Sequence, residues 1–158
     1  MVNPDDWREL HGIGDHRIHA WLKNKSSDIP ALGQFLQECE DYYVDHADTL
    51  KIRPGAVESF NIFAAARIPQ GAVSSGVKRQ VEANLKIAGI FDRLVFALSA
   101  DDVKNTKPHP EPYQKGYTRM LAMKFNNQSG FLLPENCLVI EGSGNGIKSG
   151  HAANMNTV

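Results

Sequence analysis

Three short stretches carry side chains able to handle a charged oxygen. Leu138-Val139-Ile140 is an apolar run that ends at Glu141, turns through Gly142-Ser143-Gly144-Asn145-Gly146 and leads into Ile147 to Ala153, which can begin a helix. Ala72-Val73 is a second apolar run, opened by Gly71 and closed by Ser74, Ser75 and Gly76. Lys107-Pro108-His109-Pro110 sets an amine in a stretch stiffened by two prolines. A short apolar run closed by Gly reads as a buried parallel strand. Ligands of parallel α/β sheets lie beyond the carboxyl ends of the strands. Glu141 therefore stands where a catalytic or metal-binding carboxylate is expected. Ser74 and the N–H groups after it suit a phosphate at a helix start, and a Ser there equally suits a helix N-cap. Lys107 suits neutralisation of a phosphate as a point charge.

The elements that must hold these groups alternate. Ala56 to Ala66 reads as a helix with Val57, Phe60, Ile62 and Phe63 on its apolar side. The strand at Ala72-Val73 follows, then a helix over Val77 to Ala88 closed by Gly89. Leu94 to Leu98 reads as a buried strand, Pro112 to Met123 as a helix, Phe125 to Pro134 as a loop, and Cys137 to Ile140 as a strand. Asn156-Thr157-Val158 looks like the start of another. Such alternation predicts an α/β fold with a parallel sheet. The first fifty residues read as helical instead. A three-four stripe of Leu32, Phe35, Leu36, Cys39, Tyr42, Tyr43 and Ala47 offers a packing face, with Pro30 in the first turn. Arg53-Pro54-Gly55 punctuates the boundary, dividing a helical segment, 1–52, from an α/β segment, 53–158.

Taken in order, a Ser after a strand, a Lys before Pro-x-Pro and an acid-Gly-Ser turn after another strand resemble the haloacid dehalogenase superfamily, in its phosphoglycolate phosphatase and β-phosphoglucomutase branch. The resemblance runs from about His11 to Val158. It implies a partial Rossmann-like core preceded by a helical cap fragment. It implies catalytic roles for Lys107 and Ser74, phosphate binding by Ser74, Ser75, Gly76 and Lys107, and Mg²⁺ binding by Glu141. Cap residues His11, Gly12 and Arg17, with His109, fall where a substrate would be met, and the implied substrate is a small phosphorylated metabolite. Two departures matter. Family members open with an apolar strand ending in Asp-x-Asp, the covalent nucleophile and the general acid/base; this sequence has no Asp-x-Asp. The family's second motif acid, commonly a Mg²⁺ ligand, is Gly142 here. Two readings follow: a phosphatase or phosphomutase-type hydrolase, incomplete and inactive as this chain alone, or a non-catalytic binding protein derived from one. Without a central strand, the strands at Ser74 and Glu141 are expected either to keep unpaired edges or to close up. Association as a homodimer or with a complementing chain follows from such edges, and from apolar faces around Trp21, Phe35 and Tyr42.

Composition narrows the field. The 158 residues suffice for one domain with a core. A net charge of −1 gives no basic footprint for nucleic acid, and no run of 18 apolar residues suggests a membrane span. Met1-Val2-Asn3-Pro4-Asp5-Asp6 lacks the charged and apolar regions of a signal peptide, so a cytoplasmic protein is expected. Cys39 and Cys137 form no CxxC pair and read as reduced thiols, Cys137 buried. His16 and His19 find no third ligand nearby and read as surface residues. Asp101 and Asp102 read as a helix N-terminal pair.

Overall fold

The computed structural model describes residues 6, 10, 13–123 and 132–158. Helices α1 (Asp15–Lys25) and α2 (Leu32–Asp45) pack against each other. Helix α3 (Ala56–Ala65) leads to β1 (Gly71–Val73), α4 (Lys78–Ile87), β2 (Phe96–Leu98), α5 (Glu111–Ala122), β3 (Leu138–Val139), α6 (Gly144–Ala152) and β4 (Asn156–Thr157). The strand-helix alternation is as the sequence implies, with shorter strands. Part of the loop expected over Phe125 to Pro134 lies outside the described residues, and Pro134–Asn136 is a 3₁₀ turn.

The sheet is split. β1 pairs with β2 in parallel, Gly71 opposite Phe96 and Val73 opposite Leu98. β3 pairs with β4 in parallel, Leu138 opposite Asn156. β1 and β3 do not pair with each other, so among the described residues each keeps an open edge. Of the two expected outcomes, the open-edge one is observed. Helix α5 spans both halves: Tyr113 packs in one buried cluster with Val139, Ala153 and Met155, against which Val73, Tyr117 and Cys137 also lie. Gly116 lets α5 approach β1 and β2 closely, since a Cβ there would sit 3.1 Å from the Phe96 ring and 3.4 Å from a Val73 methyl.

The helical segment departs from expectation at three points. Helix α2 begins after Ala31, leaving Pro30 outside its first turn. The Pro30 carbonyl is instead bonded to His19 Nε2 at 2.9 Å, and the imidazole lies 5.1 Å from the Phe35 ring. His19 is therefore a buried joint between α1 and α2, not a surface residue. A carbonyl freed by the proline-bearing connection supplies the partner that lets an imidazole be buried. Tyr42, expected on the packing stripe, is 68% exposed and stacks on His46. Trp21 and Phe35 are half-buried. Helix α2 docks on α4 through Tyr43 and Asn84, whose side chains bond at 3.0 Å, and through Arg79 with Asp41 at 3.1 Å.

Candidate active site

Two strand ends and one loop lysine meet at a single point. Lys107 is 5% exposed and its Nζ donates to the Val73 carbonyl at 2.9 Å and to Glu141 Oε1. The carboxyl ends of β1 and β3 thus face each other across one ammonium, although their backbones do not pair. An ammonium carries three N–H donors, so one remains after these two bonds. The Lys107–Pro108 peptide is cis. The loop after it is tied down from α6, where the fully buried Ser149 Oγ donates to the His109 carbonyl at 2.6 Å.

Glu141 is held from three sides. Besides Lys107, the Tyr113 hydroxyl donates to Oε1 at 2.5 Å and Ser143 Oγ donates to Oε2 at 3.2 Å. Burial alone would raise this carboxyl, but the bonds from Lys107, Tyr113 and Ser143 and the Lys107 charge outweigh it and hold it below the usual range. Burial, reinforced by the same contact, drives the Tyr113 phenol far up, so it stays protonated as a donor. Ser143 is also the N-cap of α6, accepting from the Gly146 N–H at 3.0 Å. Gly146 is required sterically, because a Cβ there would fall within the Glu141 carboxylate. Tyr113 went unsingled by sequence reasoning. The signal was a phenol on the sheet-facing side of a mixed polar and apolar helix, where a buried hydroxyl needs a partner.

The other expected residues divide. Ser74 follows directly on Val73, and its Oγ accepts the Gly76 N–H at 3.1 Å, closing the turn of Ser74, Ser75 and Gly76 beside the lysine. Helix α4 begins only at Lys78, so neither Ser is its N-cap. That helix is capped from a distance, by Asp101 Oδ2 accepting the Lys78 N–H at 2.8 Å. Asp102 accepts from both the N–H and Oγ of Ser99, at 2.9 and 2.8 Å. Burial opposes the Asp102 charge, but these bonds and the nearby Lys115 and Arg119 hold its carboxyl low. Arg17 and His109 line one cleft. His11 and Gly12 lie outside the described residues. Cys137 is half-buried rather than buried.

The donor set does not make up a Mg²⁺ site. Glu141 is the carboxylate at this point, both its oxygens already accept hydrogen bonds, and Gly142 brings no side chain. Among the described residues no three His, Cys, Asp or Glu side chains group to hold an ion.

A hydrolase family described as haloacid dehalogenase-like hydrolase matches residues 2–154. Hexitol phosphatase A of Escherichia coli strain K12 is 27% identical over 165 residues, covering 97% of this chain and 71% of that protein. Pyrophosphatase PpaX of Oceanobacillus iheyensis is 26% identical over 72% of this chain and 48% of its own length. The structure of CbbY from Rhodobacter sphaeroides in complex with phosphate superposes with a TM-score of 0.81 at 20% identity, over 99% of this chain and 69% of the CbbY chain. Structures assigned as a phosphoglycolate phosphatase from Lactobacillus plantarum and a β-phosphoglucomutase from Thermotoga maritima superpose at 0.74 and 0.66, with 20% and 22% identity. At such identities the superpositions speak for the fold, a Rossmann-like parallel α/β core. No helix among the described residues is long and apolar enough to cross a membrane.

Proposed function

The chain belongs to the haloacid dehalogenase-like hydrolases, and from that premise we propose that it binds the phosphate of a small phosphorylated metabolite at Ser74, Ser75, Gly76 and Lys107. The observation that carries this reading is the meeting of Lys107, Glu141 and the end of β1 at one buried point. Glu141 and Val73 aim the ammonium, and its third N–H is left for a phosphate oxygen. The turn at Ser74 to Gly76 offers the Ser74 O–H to a further oxygen, its Oγ already accepting the Gly76 N–H. Arg17 and His109, and in the sequence His11, stand toward the rest of the substrate.

In this reading the chain alone does not turn over. Glu141 is engaged by three donors and stabilised as the anion, which suits it to orient Lys107 rather than to attack phosphorus. The sequence offers no Asp-x-Asp pair to supply a nucleophile. Phosphatases of this family generally use Mg²⁺; the residues present here do not assemble its site, so no step is assigned to it. The open edges of β1 and β3, with Leu138 53% and Ile140 64% exposed beside one of them, favour association with a second copy or a complementing chain. A cytoplasmic setting fits these substrates.

The test is phosphate release from a panel of small phosphate monoesters with Mg²⁺. The chain alone is expected to give none. A version carrying an apolar strand ending in Asp-x-Asp, fused ahead of Met1, is expected to release phosphate and to lose that activity in Lys107→Ala. Release by the unmodified chain that disappears in Lys107→Ala would overturn the claim of inactivity. A folded fusion protein that neither binds orthophosphate nor turns over would overturn the phosphohydrolase reading.

A further inference from the structure

Strand β2 has β1 on one side, and among the described residues no strand lies on its other side. Backbone direction alternates along a strand, and this tells the two sides apart. Leu98 accepts the Ser74 N–H at 2.9 Å, so its backbone groups turn toward β1. Those of Ala97 and Ser99 therefore turn outward. Asp102 Oδ2 meets the Ser99 N–H there at 2.9 Å and closes that end of the edge. No strand among the described residues meets the Ala97 N–H and carbonyl.

A cleft of about 480 Å³ runs beside this edge, between α4 and α5. The two helices flank β2 on opposite faces, because right-handed crossovers that run in opposite directions lie on opposite faces of a sheet. On the α4 side, buried Val81 and half-buried Phe91 give an apolar floor. On the α5 side stands Arg119. Lys78 opens α4 near the carboxyl end of β2, where its N–H reaches Asp101. The acids of the cleft are engaged, Asp102 by the N–H and Oγ of Ser99 and Glu82 by Lys86 at 3.4 Å. The Lys78 ammonium and the Arg119 guanidinium are exposed and make no hydrogen bond or ion pair among the described residues.

We propose that the outer edge of β2 docks an extended segment of a partner protein, added to the sheet as a strand, in which apolar residues alternate with Asp or Glu. Main-chain bonds to Ala97 supply the pairing, and side-chain positions supply the choice of partner. Side chains of an extended segment point alternately to the two faces. Apolar ones turned to α4 cover Val81 and Phe91, and carboxylates turned to α5 meet the Arg119 guanidinium, a charge-assisted pairing. Lys78 adds a point charge at the end of the edge. A second copy of this edge is disfavoured as occupant, because a two-fold axis sets the same patch against itself and so brings Lys78 and Arg119 near their own counterparts. β2 is three residues long, about 10 Å at the rise of an extended chain, so a segment of about five residues spans it. The site stands on β2 and its flanking helices and does not depend on the phosphate reading.

The experiment is amide hydrogen exchange of the ¹⁵N-labelled full chain, read by two-dimensional NMR, with two probes: acetyl-Asp-Val-Asp-Val-Asp-amide and acetyl-Lys-Val-Lys-Val-Lys-amide. At about ten times its dissociation constant the acidic peptide is expected to slow exchange at the Ala97 amide about tenfold. The lysine peptide at the same concentration is expected to leave it unchanged. In Lys78→Gln/Arg119→Gln, two exposed positions, the acidic peptide should lose this effect while the circular dichroism spectrum stays the same; should that variant not fold, the contrast between the two peptides on the unmodified chain still decides. Equal slowing by both peptides would overturn the proposal. So would slowing at Val73 and Ile140, on the open edges of β1 and β3, without slowing at Ala97. Slowing at Ala97 that grows with protein concentration in the absence of peptide would overturn it in favour of a second copy. No effect of either peptide at Ala97 would overturn it and leave Lys78 and Arg119 as charges that keep the edge from pairing.

Discussion

Replacing Lys107 with Met keeps the volume and removes the charge, so Glu141 is left buried with only Tyr113 and Ser143 as donors. The side chains of the pair are 7% and 11% exposed. Breaking a pair this buried by removing one partner costs about 3–5 kcal/mol. The native variant has an escape, because Glu141 can take up a proton. From an ordinary Glu value of 4.5, at about 1.36 kcal/mol per pH unit, that escape costs no more than about 3.4 kcal/mol at pH 7 and about 0.7 kcal/mol at pH 5. A constant loss of about 1 kcal/mol from the abandoned Val73 carbonyl is added at both. The signs follow from proton binding. In the wild type the Glu141 carboxyl is depressed, so its contribution is present above 4.5 and lost as pH falls through the folded value. In the variant, burial lifts the carboxyl above its unfolded value, so stability falls as pH rises. The gap between the two proteins should therefore widen by up to about 2.7 kcal/mol between pH 5 and pH 7. Urea unfolding followed by circular dichroism at pH 5, 6 and 7 measures it. Glu141→Gln, which has no carboxyl to protonate at this site, should show no such slope between pH 5 and pH 7. A gap for Lys107→Met that stays constant across the range, or an equal slope in Glu141→Gln, would refute the buried-pair reasoning.

Gly146→Ala should lower stability by about 1–3 kcal/mol in thermal unfolding, because its methyl must displace the Glu141 carboxylate. Gly142→Ala, where nothing lies within 4 Å of the added Cβ, should change it by under about 0.5 kcal/mol. Equal effects of the two would remove the steric argument. Tyr113→Phe should cost about 1.5–3 kcal/mol at pH 7, the worth of a bond to a charged acceptor, with a smaller loss below pH 4; a stability unchanged at pH 7 would show the phenol to be idle. Light scattering over a concentration series should give a mass above that of the 17.5 kDa chain, with unfolding that depends on protomer concentration. A single monomer mass and concentration-independent unfolding would defeat the association.

Much of the site was legible because chemistry and periodicity agree there. A carboxylate, a hydroxyl turn and a lysine each followed or adjoined a strand end, and parallel strands bring such ends to one side. What could not be read was mutual geometry. That Lys107 would bridge Val73 and Glu141 depends on the tilt of α5 over both half-sheets, which Gly116 and Tyr113 set by packing. His19 was read as exposed because its partner is a backbone carbonyl, Pro30, which leaves no trace in side-chain patterns. Tyr42 sat correctly on a helical stripe yet faces outward, since a stripe wide enough to include it is wider than the surface α1 and α4 cover. Ser74 suited a cap as well as a phosphate, but the α4 N–H that needs a partner is met by Asp101, distant in sequence. Local preference names the residue types a helix end favours, not the loop that arrives to satisfy it.

The central claim is that one phosphate binds where Ser74, Ser75, Gly76 and Lys107 converge. Titration of ¹⁵N-labelled protein with orthophosphate, followed by two-dimensional NMR, tests it directly. The account predicts that the amide signals of Ser74, Ser75 and Gly76 move together along one saturable curve, and that the movement is lost in Lys107→Ala. Saturable shifts confined to other segments, or no shifts at these three amides at phosphate concentrations that saturate other sites, would contradict it.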